Sequence, residues 1–333
     1  MTNKQSYPII THSLFSLTKA AGARLVFLVF FLCHIMALQA RTDVVAAIPP
    51  VAWITDQIGG KHVNTTSLLE SGQGPHTFQL RPSQMRDLGK AELYFFVGLP
   101  FERELAKRLK SNNTEIAQID VTSGIAKYKS RAHDHVADPD QNEAHAQSKR
   151  DTEHHRADGK HDIAYDPHVW LDPLRAIVIA ENIRDALIEV DPEHAAAYRS
   201  RYHSVAARLQ DLHKHLLKWF KPVVGEKFYV YHPAFQYFAR RYGLEEVAIE
   251  REGKSPGPRE LSGVIKEARG MPVVFRQPQF SDESVSLLAD AIGAKIQEID
   301  PLAYDYESNL KTIGARIMTA LRMKKNAKSS GFK

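Results

Sequence analysis

At 333 residues the chain exceeds the roughly 250 to 300 residues at which a single core stops growing, so two domains are expected. A composition of 43% hydrophobic and 25% charged residues is that of an ordinary soluble globular protein. The formal net charge is +5, but Lys4, Lys19 and Arg24 lie in an opening segment without acidic residues; removing them leaves +2, which gives no basis for a nucleic-acid surface.

That opening segment, 1–40, has the layout of a secretory signal: basic residues, the apolar run Leu25 to Leu38, then Gln39-Ala40, with cleavage expected after Ala40. The run is interrupted by His34 and is shorter than the roughly 20 apolar residues that a spanning helix requires, so the mature chain is not expected to insert into a membrane. The only cysteine, Cys33, lies inside this segment. The mature chain then has neither a disulfide nor a thiolate ligand. Phe31 and Leu32 before Cys33 are too large for a lipid-attachment site.

From Asp43 a short apolar strand (Val44 to Ile48) leads through Pro49-Pro50 into a helix ending at Gly59-Gly60. A strand (His62 to Leu69), a helix (Pro82 to Lys90), a strand (Leu93 to Val97), a helix (Phe101 to Leu109) and a strand (Ile116 to Ile119) follow. Strands alternating with helices predict a parallel sheet covered on both faces. A polar tract, 131–162, interrupts this lobe, and a helix from Leu174 to Val190 closes it, so the lobe spans 41–190. Asp191-Pro192 offers an N-cap and a first-turn proline to the next helix. Within that helix, 191–220, Tyr198, Tyr202, Val205, Leu209, Leu212, Leu216 and Trp219 recur at spacings of four and three. The seam predicts a structural helix about 40 Å long laid along the protein, preferred to a coiled-coil dimer. Beyond Pro222 the alternation of strands and helices resumes over 221–325, a second α/β lobe, before a basic tail, 326–333, that is expected to fray.

Chemistry concentrates at four places, each a His or Asp in a loop fixed by Pro or Gly, or at the end of a predicted strand. They are His76 after Gly74-Pro75, His168 after Asp166-Pro167, His232 before Pro233, and Asp300 before Pro301. Ligands collect beyond the carboxyl ends of strands in open α/β sheets, so the four can converge between two lobes. Three imidazoles and one carboxylate form a closed tetrahedral set suited to Zn2+ as a bound ligand. Any one of them alone would read as a structural loop residue.

These motifs together resemble the metal-binding receptors of ABC importers, in particular the zinc-specific solute-binding proteins of the high-affinity zinc-uptake branch. The resemblance runs through Ile48-Pro49-Pro50, Gly74-Pro75-His76-Thr77-Phe78, Asp166-Pro167-His168-Val169-Trp170-Leu171-Asp172-Pro173, Tyr231-His232-Pro233-Ala234-Phe235 and Ile299-Asp300-Pro301-Leu302. It implies two lobes, each a mainly parallel sheet flanked by helices, joined by one long rigid helix. His76 and His168 would come from the first lobe, His232 and Asp300 from the second. It further implies an exported, periplasmic, monomeric zinc receptor that delivers Zn2+ to the transmembrane permease subunit of an ABC importer. Where some zinc receptors place a Glu before the first His, this chain has Pro75, which leaves Asp300 as the fourth ligand. Manganese-type members, the alternative within the family, tend to carry a carboxylate where His232 stands; imidazole there favours zinc.

The polar tract holds His133, His135, His145, His154, His155 and His161, read either as an accessory low-affinity metal collector or as a solvated loop. His213, His215, His62, His194 and His203 are expected at the surface. Among enzyme readings, Gly253-Lys254-Ser255-Pro256-Gly257 has the G-x-S-x-G pattern, but Pro256 lacks the N–H that an oxyanion hole needs. A zinc metallohydrolase using three His and water, with Asp300 as base, is the surviving alternative of another class. Nothing in the chain supports a zinc-dependent adhesin.

Overall fold

The computed structural model describes residues 41–112, 114–130, 165–250 and 257–330. The expected signal segment, the six histidines from His133 to His161 and the Ser255 motif lie outside these residues.

Chain order builds the first sheet from β1 (Thr42–Ala46), β2 (Val63–Ser67), β3 (Leu93–Phe96) and β4 (Ala117–Asp120). Helices α1 (Pro49–Gly59), α2 (Pro82–Leu88) and α3 (Pro100–Ser111) alternate with them, and α4 (Pro173–Val190) follows. The second sheet takes β5 (Lys227–Val230), β6 (Glu245–Ala248), β7 (Val273–Arg276) and β8 (Lys295–Glu298), with α6 (Gln236–Arg241), α7 (Pro258–Ala268) and α8 (Glu283–Ile292) between them. Between the two sheets runs α5 (Ala195–Phe220), and α9 (Tyr306–Ser330) follows β8. Each of α1, α2, α3, α4 and α7 opens on a proline, which loses no hydrogen bond there because first-turn N–H groups have no helical partner.

Both sheets are four-stranded and parallel, in the orders β2-β1-β3-β4 and β6-β5-β7-β8. In each, the direction of winding reverses between the two central strands. The loops leaving those strands therefore splay apart and open a crevice at the carboxyl ends. This is the two-lobed α/β fold expected from the alternation of strands and helices.

Helix α5 joins the lobes along a single apolar face, with Tyr198, Val205, Leu209, Leu212, Leu216 and Phe220 buried. Tyr202 and Trp219, at the margins of the seam, are partly buried. The face packs on α1 and α4 and crosses α9, where a Cβ at Gly314 would stand 2.5 Å from the Leu216 side chain. Only glycine lets these two helices approach so closely.

The N-terminus of α5 departs from expectation. Pro192–His194 forms a turn of 3-10 helix and the α-helix begins at Ala195. Asp191 makes no capping bond; its carboxylate instead meets His194 Nδ1 at 2.8 Å and accepts the Tyr198 hydroxyl. His62 is buried against this group, its ring 3.7 Å from that of His194, so neither is the open surface histidine expected from sequence. His203 and His215 are exposed and His213 is partly buried. At the other end of the chain, α9 runs to Ser330, past residue 326 where the sequence places the start of a tail.

Candidate metal site

His168 is held by what surrounds it. Pro167 fixes the chain, and the Asp166 carboxylate accepts both the His168 backbone N–H at 2.9 Å and, at 2.7 Å, a bond from ring Nδ1. The Tyr237 hydroxyl, from α6, donates to the Asp166 carbonyl at 2.9 Å. Immediately downstream the chain turns through Val169–Leu171, whose side chains are buried. Trp170 Nε1 donates to the Pro301 carbonyl at 2.8 Å, and the Tyr306 hydroxyl donates to the Trp170 carbonyl. Asp172 then caps α4 through Leu174 N and takes both ends of the Arg241 guanidinium at 2.6 and 2.9 Å.

His232 follows β5 directly and is built in the same manner. Its Nδ1 lies 2.5 Å from Glu250 Oε1, a buried carboxylate at the end of the neighbouring strand. Gln277, fully buried beyond β7, clamps the His232 backbone from both sides: Oε1 accepts its N–H at 3.1 Å and Nε2 donates to its carbonyl at 2.7 Å. Phe280 stacks on the ring with centroids 5.4 Å apart. With both carboxylates engaging Nδ1, each imidazole carries its proton there and presents the Nε2 lone pair outward, the form in which it ligates a metal.

His76 sits on an exposed loop, its ring 5.0 Å from His232 at 72°, while His168 stands 5.5 Å from His232 at 75°. Zinc bonded to nitrogen at about 2.0 to 2.1 Å places each ring centroid about 3.2 Å from the ion, so a tetrahedral arrangement separates the centroids by about 5.2 Å. The two measured spacings bracket that value. Among the described residues no three His, Cys, Asp or Glu side chains are closed tightly enough to hold an ion as they stand. The two spacings to His232 are those of imidazoles able to share one ion.

Asp300 follows β8. Its Oδ1 accepts from Leu302 N at 2.9 Å and from Gln279 Nε2 at 3.2 Å, and its carbonyl accepts from Asn309 at 2.6 Å. Its neighbours border those of the imidazoles: the Pro301 carbonyl accepts from Trp170, and Gln279 lies one residue before Phe280, which covers His232.

Loss of hydration is the largest influence on the ionisation of His76, His232 and Asp300. It pulls His76 below the ordinary imidazole range, helped by His232 and His168, and it does the same to His232 against the opposing bond from Glu250. Both shifts favour the neutral imidazole, the form that ligates a metal. Burial raises the Asp300 carboxyl, opposed by its bonds from Leu302 and Gln279. Beside His76, a cavity of about 580 Å³ separates the loop from α3, lined by Pro75, Phe78, Phe101, Leu105 and Arg108.

Sequence reasoning named the four candidate ligands and missed Glu250, Gln277, Gln279 and Tyr237. One signal was present for the glutamines: Gln277-Pro278 leaves a strand in the same context as His232-Pro233 and Asp300-Pro301.

The fold and this rim of imidazoles define a two-lobed metal-binding receptor. The family model described as zinc-uptake complex component A, periplasmic, matches residues 44–320, and the chain belongs to that family. The high-affinity zinc uptake system protein ZnuA of Yersinia pestis is 28% identical over 271 residues, covering 79% of this chain and 84% of that protein. A crystal structure of ZnuA superimposes with a TM-score of 0.73 at 31% identity, covering 84% of this chain and 99% of that one. A zinc-bound ZnuA with residues 138–173 of its own numbering deleted gives a TM-score of 0.72 at 32% identity, covering 84% and 98%.

Proposed function

We propose that this chain is an exported receptor that captures Zn2+ between its two lobes through His76, His168, His232 and Asp300, and delivers it to the permease of an ABC importer. The observation that supports this most is that the His76 and His168 rings stand 5.0 and 5.5 Å from that of His232, close to the separation of two imidazoles on one tetrahedral ion. Four protein donors fill a zinc coordination sphere and leave no position for an activated water, so the protein binds and does not catalyse. The ion is cargo. Asp166 and Glu250 fix the tautomers of His168 and His232, and burial holds the His232 imidazole below its ordinary range.

Titration of the purified mature protein with Zn2+ against a competing chelator is expected to give one tight equivalent, lost in His232→Ala. Tight binding that survives His232→Ala would overturn the site. Because His76 and His232 lie below the ordinary imidazole range, proton competition is expected to set in below pH 6.5, lower than for free histidine. Export to the periplasm is read from segment 1–40 and from family membership; among the described residues no helix is long and apolar enough to cross a membrane.

A further inference from the structure

The two side-chain hydrogen bonds to the Asp300 carboxylate fall on one oxygen. Oδ1 accepts Leu302 N–H at 2.9 Å and Gln279 Nε2 at 3.2 Å. The Leu302 bond is local, made by the turn that carries the aspartate. Gln279 arrives from a different strand end, beyond β7, and reaches across to the first lobe as well. A Cβ placed at Gly74, two residues before His76, would stand 3.5 Å from Gln279 Cβ. Gln279 therefore lies beside the His76 loop while its amide donates to Asp300 Oδ1, alongside the Leu302 N–H.

A carboxylate with one oxygen saturated offers an ion only the other. On the reading that Asp300 is the fourth ligand, we propose that Gln279 is a specificity-determining residue: by occupying Oδ1 it confines Asp300 to one-oxygen coordination and holds the bound ion at four donors. Four donors of this kind suit zinc. Manganese favours more numerous, oxygen-rich ligands, and a released Oδ1 would supply a fifth donor of the kind it prefers. Selection against manganese then rests on a glutamine that touches the ligand and never the metal.

The test uses Gln279→Leu, which keeps bulk and removes the donor, Gln279→Glu, which keeps shape and cannot donate to Oδ1, and Asp300→Ala. Affinities for Zn2+ and Mn2+ are measured, with Co2+ as a spectroscopic probe of coordination number. Wild type is expected to show the intense visible bands of four-coordinate cobalt. Both Gln279 variants should show the weaker bands of higher coordination and a zinc-over-manganese preference reduced about tenfold or more. An unchanged cobalt spectrum and preference in both, with Asp300→Ala weakening zinc, would overturn the role of Gln279 alone. An effect of Leu without an effect of Glu would assign the change to packing and overturn it too. Asp300→Ala with unaltered zinc affinity and cobalt bands would instead remove Asp300 from the site, and the inference with it.

Discussion

The segments that carry His168 and His76 border the same crevice and are restrained in opposite ways. From Asp166 to Asp172 the chain is bonded to Tyr237, Arg241, Pro301 and Tyr306, all contributed by the second lobe and its following helix. From Glu70 to Arg81 the hydrogen bonds stay within the neighbourhood of the loop: Thr77 to Gly74, Gln73 to Glu70, and Arg81 to Glu70. His168 is a first-lobe residue held by Asp166, yet the segment around it is also bonded to second-lobe groups. His76 alone of the three imidazoles stands on an exposed loop beside open volume. On the proposed reading, His168 and His232 form the firmly held part of the site and His76 is supplied by the more loosely bonded loop.

Single replacements test this division most strongly. Zinc bound at a structural site is worth about 10 to 16 kcal/mol, so an average ligand contributes about a quarter of it. His168→Ala is accordingly expected to weaken zinc by about 100- to 1,000-fold. His76→Ala should weaken it about tenfold less, because the variant no longer has to order the loop, at about 1 to 2 kcal/mol per fixed residue. Equal losses by chelator competition would break the comparison.

Stability should divide along the same line. Asp172 is 2% exposed and its Arg241 partner 31%, so Asp172→Ala removes a helix cap and strands a partly buried guanidinium. A loss of about 3 kcal/mol in denaturant unfolding is expected. The Glu70–Arg81 pair beneath the His76 loop is about half exposed on both sides, and Glu70→Ala should lose under about 1 kcal/mol.

Part of this contrast was legible in the sequence and part was not. The alternation of elements gave both sheets because β-branched and aromatic runs were separated by Pro- and Gly-marked turns. His168 stood out because two Asp-Pro pairs leave the chain between them little freedom. Glu250 gave no local sign, since it lies 18 residues from His232 and meets it only because β5 and β6 pair. His62 read as a surface residue because only tertiary packing brings the α5 entrance over it. Asp191 had the sequence of an N-cap, but two side-chain partners outbid the backbone N–H groups. Gln279 could not be found by spacing at all: its partner Asp300 is 21 residues away and joined through the β7–β8 pair.

A pH effect should appear on the softer side. The floor under the His76 loop is α3, whose first turn is held by Glu102 accepting the N–H groups of Val97, Gly98 and Leu99. Burial pushes this carboxyl up to about 7, against the lowering effect of those bonds. Below about pH 4.5 the group is protonated in both folded and unfolded chains and contributes no pH dependence. From there to about 7 the unfolded chain has released a proton that the folded protein retains, so stability falls with rising pH, by up to about 3 kcal/mol, and is flat above. Glu102→Gln should abolish that slope in urea melts of the metal-free protein. A slope that persists in the variant would place its origin elsewhere.

The smallest expected effect is none. Deleting Ala132 to His161 removes the histidines His133, His135, His145, His154, His155 and His161 from a chain whose neck is already tied. Lys129 pairs with Tyr165 in an antiparallel bridge, Asp166 N donates to Tyr128 O at 2.9 Å, and Tyr128 N donates at 2.9 Å to the Tyr237 hydroxyl that also holds Asp166. Tyr128 and Tyr237 stack at 4.8 Å, with Arg175 over both rings. Each of these contacts around Asp166, and through it His168, lies outside the deleted stretch. The variant should therefore keep its tight zinc equivalent within about threefold of wild type, which is under 1 kcal/mol. It should lose only the weaker equivalents bound at high zinc, if the tract collects metal. Calorimetric titration separates the two classes of site. Loss of the tight equivalent would mean that His168 takes its position from the tract and not from the second lobe.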